Sequence, residues 1–153
     1  MSRILLLNGP NLASLGEREP GIYGSITLSE IEEAVRARAG ELGLEVRCEQ
    51  TNHEGAMVDV LEAERGHSAG CIVNPGGLTH TSVVLADALR AFGAPVVEVH
   101  LSNILAREAY RRVSLSAEAA VAVITGLGLH GYVLAVEGLA KLLEDPPPTG
   151  STA

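Results

Sequence analysis

The sequence has 153 residues, of which 46% are hydrophobic and 20% charged. That balance is typical of one globular domain and excludes a disordered or fibrous chain. Nineteen acidic residues against 11 lysines and arginines give a net charge of −8, which disfavours nucleic acid or an anionic membrane surface as the partner. A small molecule or another protein is therefore the expected partner.

Targeting signals and cysteine pairing are not expected. The longest apolar run, Ala119 to Ile124, is far shorter than the roughly 18 residues that a membrane span requires, and too few apolar residues follow Met1 for a signal peptide. Cys48 and Cys71 are the only cysteines and have no CxxC spacing. This usage favours a reducing cytoplasm over a disulfide scaffold.

Short β-branched or leucine-rich runs alternate with helical patterns along the chain. We predict strands at Ile4 to Leu7, Leu44 to Thr51, Cys71 to Asn74, Val96 to His100 and Ala120 to Ile124. We predict helices at Thr27 to Leu42 with a capping box, at Glu54 to Arg65, from near Thr81 to Phe92, and at Leu129 to Glu144. Residues 1–144 are expected to form one domain, and residues 145–153 a disordered tail.

Strands without strict alternation that are joined by helices are typical of a parallel sheet buried on both faces. We therefore predict an α/β fold, a doubly wound three-layer sandwich with a five-stranded parallel sheet. Ligands bind such folds at the carboxyl ends of the strands. Those ends are predicted at Asn8 to Asn11, Gln50 to Asn52, Asn74 to Gly77, His100 to Asn103, and Thr125 with Gly126.

Several familiar kinds of site are disfavoured. Gly126 to Gly131 matches GxGxxG after a strand, but no acidic strand end follows about 20 residues later, so close packing of the last helix explains these glycines better. Lys141 is the only lysine and lies late in a predicted surface helix, which argues against a lysine imine. The five histidines have no metal-binding spacing, and we expect no metal.

Three stretches carry chemically useful side chains. The long connection after the first strand holds Tyr23 between glycines, and long connections often act as lids. Asn74 is followed by a glycine turn and a helix start, where free N–H groups favour an anion. Glu98 and His100 are two residues apart on a strand, so both point to the same side, and His beside Glu at a strand end indicates general acid or base chemistry.

These segments together resemble type II 3-dehydroquinate dehydratase. The resemblance runs in order over about residues 4 to 140. It rests on several separate motifs, namely Asn8-Gly9-Pro10-Asn11-Leu12, Arg18-Glu19-Pro20, Tyr23-Gly24, Gln50-Thr51-Asn52, Asn74-Pro75-Gly76, Thr79-His80-Thr81-Ser82, Asp87-Ala88, Glu98 to Asn103, and Arg107-Glu108 with Arg111.

The resemblance implies a flavodoxin-like fold and a cofactor-free anti elimination of water from 3-dehydroquinate in the shikimate pathway. It implies that Tyr23 removes the proton beside the ketone as a tyrosinate, and that His100 protonates the leaving hydroxyl. An ordinary phenol has a pKa of about 10, so cations must stabilise the tyrosinate. Arg18 and Arg107 are the candidates for that role.

The same resemblance implies the remaining contacts. Asn74 and the backbone amides of Leu101 and Ser102 hold the substrate carboxylate, while His80 and Arg111 contact its hydroxyls. Asn11 orders the site, and Glu98 orients His100 or a bound water. Members of the family assemble as dodecamers of trimers, in which the aspartate matching Asp87 reaches a neighbouring site. The chain departs from the usual pattern at Ala13, Ser14, Gly77 and Leu78, which concerns lid packing.

Two other readings stay open at this stage. A flavodoxin-like protein that binds a flavin or nucleotide without catalysis is compatible with the fold, although aromatic stacking partners and a phosphate loop are scarce. A different lyase using the same pocket is the second alternative. Turnover of 3-dehydroquinate distinguishes both from the dehydratase.

Overall fold

The computed structural model describes residues 1–17 and 19–146. Its five strands are β1 (Ser2–Asn8), β2 (Leu44–Gln50), β3 (Cys71–Asn74), β4 (Val96–His100) and β5 (Ala122–Thr125). The helices are α1 (Pro20–Tyr23), α2 (Leu28–Glu41), α3 (Glu54–Glu64), α4 (Val83–Phe92) and α5 (Leu129–Glu144), with short 3-10 turns between them. Residues 147–153 of the predicted tail lie outside the described residues.

The strands form one parallel sheet in the order β2-β1-β3-β4-β5. This is the flavodoxin-like order, and it confirms the predicted five-stranded α/β sandwich. The strand order reverses beside β1, so the carboxyl ends of β1 and β3 lie next to each other, with Asn8 paired in register with Asn74. A ligand cleft is expected at such a point.

Helices cover both faces of the sheet because its central strands are apolar on both sides. Along β1, Ile4 and Leu6 pack with residues of α2 and α5, whereas Leu5 and Leu7 pack with residues of α3 and α4. Ile4 to Leu7 are all inaccessible to solvent. The edge strands β2 and β5 are partly exposed, so full burial on both faces applies only to the centre of the sheet.

Local signals account for most element boundaries. Thr27 caps α2 in a reciprocal capping box, in which the Glu30 N–H donates to Thr27 Oγ1 at 3.2 Å and the Thr27 N–H donates to Glu30 Oε2 at 2.9 Å. The last strand begins two residues later than predicted: Ala120, which follows the 3-10 turn Ser116–Ala119, is extended, but pairing with β4 starts only at Ala122. Among the described residues, no helix combines the length and apolar character that a bilayer crossing demands.

The long connection after β1 is not an unstructured loop. It contains a 3-10 turn at Leu12–Ser14 and the short helix α1, which ends at Tyr23. Tyr23 packs against the core on the α2 and α5 side of the sheet. The structure of this connection therefore brings its one aromatic side chain towards the carboxyl edge of the sheet.

Candidate active site

A cavity opens at the carboxyl ends of β1, β3 and β4. Its walls come from the loops that follow these strands and from α1. The residues that line it are Pro10, Asn11, Leu12, Tyr23, Asn74, Gly76, Gly77, His80, His100, Leu101, Ser102, Ile104, Arg107 and Arg111. Nine predicted site residues are among them, although these residues are spread along the sequence from Asn11 to Arg111.

Two glycines permit the close approach of the loops after β1 and β3. A Cβ on Gly9 would lie 2.6 Å from the Pro75 carbonyl oxygen, and a Cβ on Gly76 would lie 2.8 Å from the Pro10 oxygen. Contacts that short do not occur with real Cβ atoms, and Gly76 also has a positive φ of 59°. The backbone contact therefore requires glycine at both positions.

Glu98 and His100 form a buried acid–base pair at the end of β4. His100 Nε2 lies 3.0 Å from Glu98 Oε2, which confirms that both side chains point to the same side of the strand. Ser114 Oγ donates to the same carboxylate oxygen at 2.9 Å, and Ser116 Oγ donates to Oε1. His100 lines the cavity, whereas Glu98 lies behind it and is fully buried.

This arrangement keeps Glu98 ionised. Burial by itself raises the pKa of the Glu98 carboxyl, but the hydrogen bonds from His100, Ser116 and Ser114 outweigh it, and the pKa lies below its ordinary value. An ionised carboxylate accepts the Nε2 proton of His100. The other ring nitrogen, Nδ1, makes no hydrogen bond to a described residue.

Tyr23, at the end of α1, and Arg107, in the loop after β4, form a second pair. Arg107 Nη1 donates to Tyr23 Oη at 2.9 Å, and the guanidinium carbon lies 5.4 Å from the centre of the tyrosine ring. The same Nη1 is 3.3 Å from Ser102 Oγ. The contact places the positive charge of the guanidinium beside the phenol oxygen.

Hydrogen-bond donors are grouped at the ends of β3 and β4. Neither backbone N–H of Leu101 and Ser102 has an acceptor among the described residues. Asn74 Oδ1 accepts from the Gly76 N–H at 3.1 Å, so its amide nitrogen is the side that can donate. Converging N–H groups of this kind bind a carboxylate.

The remaining cavity residues are held by specific contacts. His80 Nδ1 lies 2.7 Å from the Val113 carbonyl oxygen. Arg111 Nε donates to Glu108 at 2.7 Å, and although burial lowers the pKa of Arg111, that contact raises it above its ordinary value. Asn11 has a positive φ of 71°, and its N–H donates to Asn52 Oδ1 at 3.1 Å.

Among the predicted site residues that the structure describes, Glu98 lies behind the cavity and Asp87 lies away from it. Asp87 lies on the exposed side of α4, where it pairs with Arg90 at 3.4 Å and lines a separate groove between α3 and α4. Arg18 lies outside the described residues. Conversely, the sequence did not single out Ser114, Ser116 and Tyr132, whose hydroxyls contact Glu98 and Asn74.

Of the three glycines in the GxGxxG stretch, Gly131 has the predicted role of packing the last helix against the sheet, whereas Gly126 packs against the loop after β4. A Cβ on Gly131 would lie 3.3 Å from Ile124, and one on Gly126 would lie 3.2 Å from Asn103. Gly128 has free space around it but adopts a positive φ of 58° at the start of α5. In the described part of the chain, no group of three or more His, Cys, Asp or Glu residues is placed to hold a metal ion.

The fold and the cavity define a class of enzyme. It is a flavodoxin-like α/β protein in which a tyrosine hydrogen-bonded to an arginine and a histidine hydrogen-bonded to a buried glutamate are suited to acid–base chemistry on a small anion. The family model described as dehydroquinase class II matches residues 2–140. The chain belongs to that family, whose enzyme class is 3-dehydroquinate dehydratase, EC 4.2.1.10.

Individual relatives agree with this assignment. The 3-dehydroquinate dehydratase 1 of Corynebacterium efficiens is 57% identical over 139 residues, which is 91% of this chain and 92% of that protein. A catabolic 3-dehydroquinase of Pyricularia oryzae is 55% identical over 143 residues, 92% of this chain and 91% of that protein. The crystal structure of type II dehydroquinase from Propionibacterium acnes has a TM-score of 0.88 and 40% identity, covering 92% of this chain and 97% of that one.

Proposed function

We propose that the chain removes water from 3-dehydroquinate by anti elimination through an enolate, giving 3-dehydroshikimate. Tyr23, as a tyrosinate, takes the proton from the carbon beside the ketone, and the electron pair of the broken C–H bond forms the enolate. His100 then donates a proton to the leaving hydroxyl, which departs as water when the enolate collapses to the conjugated enone. Proton exchange with solvent returns Tyr23 and His100 to their starting states.

The base is supported by the contact with Arg107. A guanidinium stays protonated throughout the physiological range, so it favours the phenolate over the phenol without itself losing a proton. We propose that Arg18 contributes a second positive charge near the developing enolate. Neither residue needs a cofactor for this role, and we propose that the reaction uses none.

The acid is supported by the contacts of Glu98. Its carboxylate accepts Nε2–H of His100, which orients the ring and places a negative charge beside it. Nδ1 is then free to give its proton to the leaving hydroxyl. Glu98 is therefore proposed as a positioning residue that acts through His100.

Substrate binding is proposed to use the donors around the cavity. The carboxylate of 3-dehydroquinate accepts from Asn74 and from the N–H groups of Leu101 and Ser102. Arg111 and His80 contact its hydroxyls. Asn11, whose backbone is fixed by Asn52, is proposed to order the loop that covers the ring.

The single observation that carries this proposal is that Tyr23, paired with Arg107, and His100, paired with the buried Glu98, line one cavity. The test is the rise of enone absorbance after 3-dehydroquinate is added to protein treated with a chelator. Wild type and Tyr110→Phe are expected to turn over alike, because Tyr110 is 65% exposed. Tyr23→Phe is expected to be slower by at least about a hundredfold, since a general base typically contributes 10²–10⁴.

Each other outcome has a definite meaning. No turnover by wild type would contradict the dehydratase reaction and favour a non-catalytic binding protein or a lyase for another substrate. Equal turnover by wild type and Tyr23→Phe would retain the reaction and exclude Tyr23 as the base. Loss of activity in Tyr110→Phe as well would implicate the contact between Tyr110 and Arg111, whose guanidinium carbon lies 5.1 Å from the Tyr110 ring centre.

We also propose a dodecamer built from trimers, in which Asp87 contributes to a neighbouring active site. Its support is the exposed position of Asp87 on α4, beside the exposed Val83 and Val84. Light scattering is expected to give about 190 kDa, twelve times the 15.9 kDa chain. Mixing subunits of inactive Asp87→Ala and inactive His100→Ala is expected to restore part of the activity, whereas a 15.9 kDa particle would contradict the assembly.

Residues 1–144 are proposed to be the single catalytic domain. We place the enzyme in the cytoplasm and in the shikimate pathway of aromatic amino acid synthesis. The unpaired state of Cys48 and Cys71 supports the location. Gene deletion is expected to cause a requirement for aromatic amino acids. Loss of growth only on quinate would instead indicate a catabolic role.

A further inference from the structure

Tyr132 connects the ends of two central strands from inside the protein. It lies in the first turn of α5 and is fully buried. Its hydroxyl donates to Asn8 Oδ1 at 2.7 Å and accepts from Asn74 Nδ2 at 2.8 Å. Asn8 and Asn74 are register partners on β1 and β3. Tyr132 is not among the residues that line the cavity, whereas Asn74 is.

The donor and the acceptor can be assigned in each of the hydrogen bonds that link Gly76, Asn74, Tyr132 and Asn8. The Gly76 N–H can only donate, so the Asn74 atom 3.1 Å from it must be the oxygen. Asn74 Nδ2 must then face Tyr132, whose oxygen accepts and whose proton goes to Asn8 Oδ1. Burial raises the pKa of Tyr132 above its ordinary value, although the Asn74 contact lowers it slightly, so the hydroxyl keeps the proton that it donates.

These hydrogen bonds determine which amide atom Asn74 presents to the cavity. Its amide nitrogen has two hydrogens, of which one is used by Tyr132, and no described residue accepts the other. With the amide held at both ends, Asn74 cannot rotate to present its oxygen instead. The cavity therefore meets an N–H donor at this position, which attracts an oxygen anion and disfavours a donor group.

We propose that Tyr132 is a positioning residue for substrate binding, which holds the Asn74 amide in the orientation that donates to the substrate carboxylate. This inference rests on the proposed function, because it uses the carboxylate as the partner of Asn74. It assigns the reaction a residue on the last helix, 58 positions from Asn74 in the sequence.

The test is a double-mutant cycle of Tyr132→Phe and Asn74→Ala, read as KM and kcat for 3-dehydroquinate. Tyr132→Phe is expected to raise KM about fivefold, a typical effect of one hydrogen bond, and to leave kcat within about twofold because ground-state and transition-state binding are weakened alike. In the Asn74→Ala background, Tyr132→Phe is expected to change KM less than about twofold, since the group it positions is absent.

A matched core variant separates positioning from stability. Leu139→Val trims another fully buried side chain of α5 and is expected to lower the melting temperature with KM unchanged. If Tyr132→Phe is not recovered folded, Asn8→Ala takes its place, because it removes the acceptor that fixes the Tyr132 hydroxyl; the same rise in KM and the same loss of effect with Asn74→Ala are expected.

The contradicting results are distinct. An effect of equal size in both backgrounds, or an unchanged KM in Tyr132→Phe, would overturn the positioning role while the dehydratase reaction stands. A wild type that does not turn over 3-dehydroquinate would overturn the proposed function, and this inference with it.

Discussion

Replacing Glu98 by Gln tests how the buried acid pair works. The carboxylate accepts at both oxygens: His100 and Ser114 donate to Oε2, and Ser116 donates to Oε1. A glutamine has one oxygen and one NH₂ group, so at least one of these donors must meet another donor. His100 also loses the negative charge of its hydrogen-bond partner.

The magnitude follows from these contacts. Leaving a buried donor unpaired costs about 1–3 kcal/mol, and about 2 kcal/mol corresponds to a fall in melting temperature of about 4–8 °C for a chain of this size. The loss of an oriented acid is expected to lower kcat by about 10² or more. Both effects arise from one atom replacement that preserves the shape of the side chain.

The pH dependence of stability is an independent test of whether Glu98 is ionised in the folded protein. The pKa of Glu98 is lower in the folded protein than its ordinary value of 4.5, so its ionised form stabilises the folded state above that value. This contribution is lost as the pH falls through the folded pKa. Glu98→Gln is therefore expected to destabilise the protein at pH 7 and progressively less in acid.

The assays are enone absorbance for kcat and thermal melts at several pH values between about 3 and 7. Glu118→Gln is the matched control, because Glu118 makes only an exposed ion pair with Arg90, and such pairs contribute about 0–1 kcal/mol. Wild-type kcat in Glu98→Gln would refute the role of this carboxylate. An equal destabilisation at every pH would refute the argument from its ionisation.

Three further substitutions have expected outcomes. Arg107→Met removes the guanidinium that donates to Tyr23 and is expected to lower kcat about 10–100-fold with unchanged folding. Normal turnover would contradict the role of Arg107 in stabilising the tyrosinate. Ser116→Ala removes a hydrogen bond that holds the pKa of Glu98 low, so the acid limb of the kcat profile is expected to move to higher pH, and a fixed limb would contradict this. Gly9→Ala places a Cβ 2.6 Å from a backbone oxygen and is expected to cost about 1–3 kcal/mol, whereas Gly55→Ala, with open space, is expected to leave the melting temperature the same or higher.

The features that depend on neighbouring residues were predictable from the sequence. The capping box at Thr27 and Glu30 places the start of α2 within one residue, because both partners lie in the same turn. The alternation along β4 correctly puts Glu98 and His100 on one side. The start of β5 was predicted two residues too early, since Ala120 is apolar and extended like a strand residue but precedes the first residue that pairs with β4.

The contacts that join distant segments were not predictable in the same way. Tyr132 reaches Asn8 across 124 positions, and its only signal in the sequence is an aromatic residue beside a helix-start glycine. Ser114 lies in irregular backbone and Ser116 begins a short 3-10 turn, and neither segment is long enough for a periodicity that indicates the direction of a side chain. The position of Asp87 outside the cavity depends on the packing of α4, which the strand-end rule does not address.

The stereochemistry of the elimination tests most directly whether Tyr23 and His100 act on the substrate from two sides. The measurement uses 3-dehydroquinate labelled on the carbon beside the ketone, with deuterium in place of the hydrogen that is anti to the leaving hydroxyl. The deuterium content of the product is then read by mass spectrometry. Removal of that hydrogen by Tyr23, with His100 protonating the hydroxyl, predicts a product without deuterium. A product that keeps the deuterium at normal turnover would contradict the mechanism.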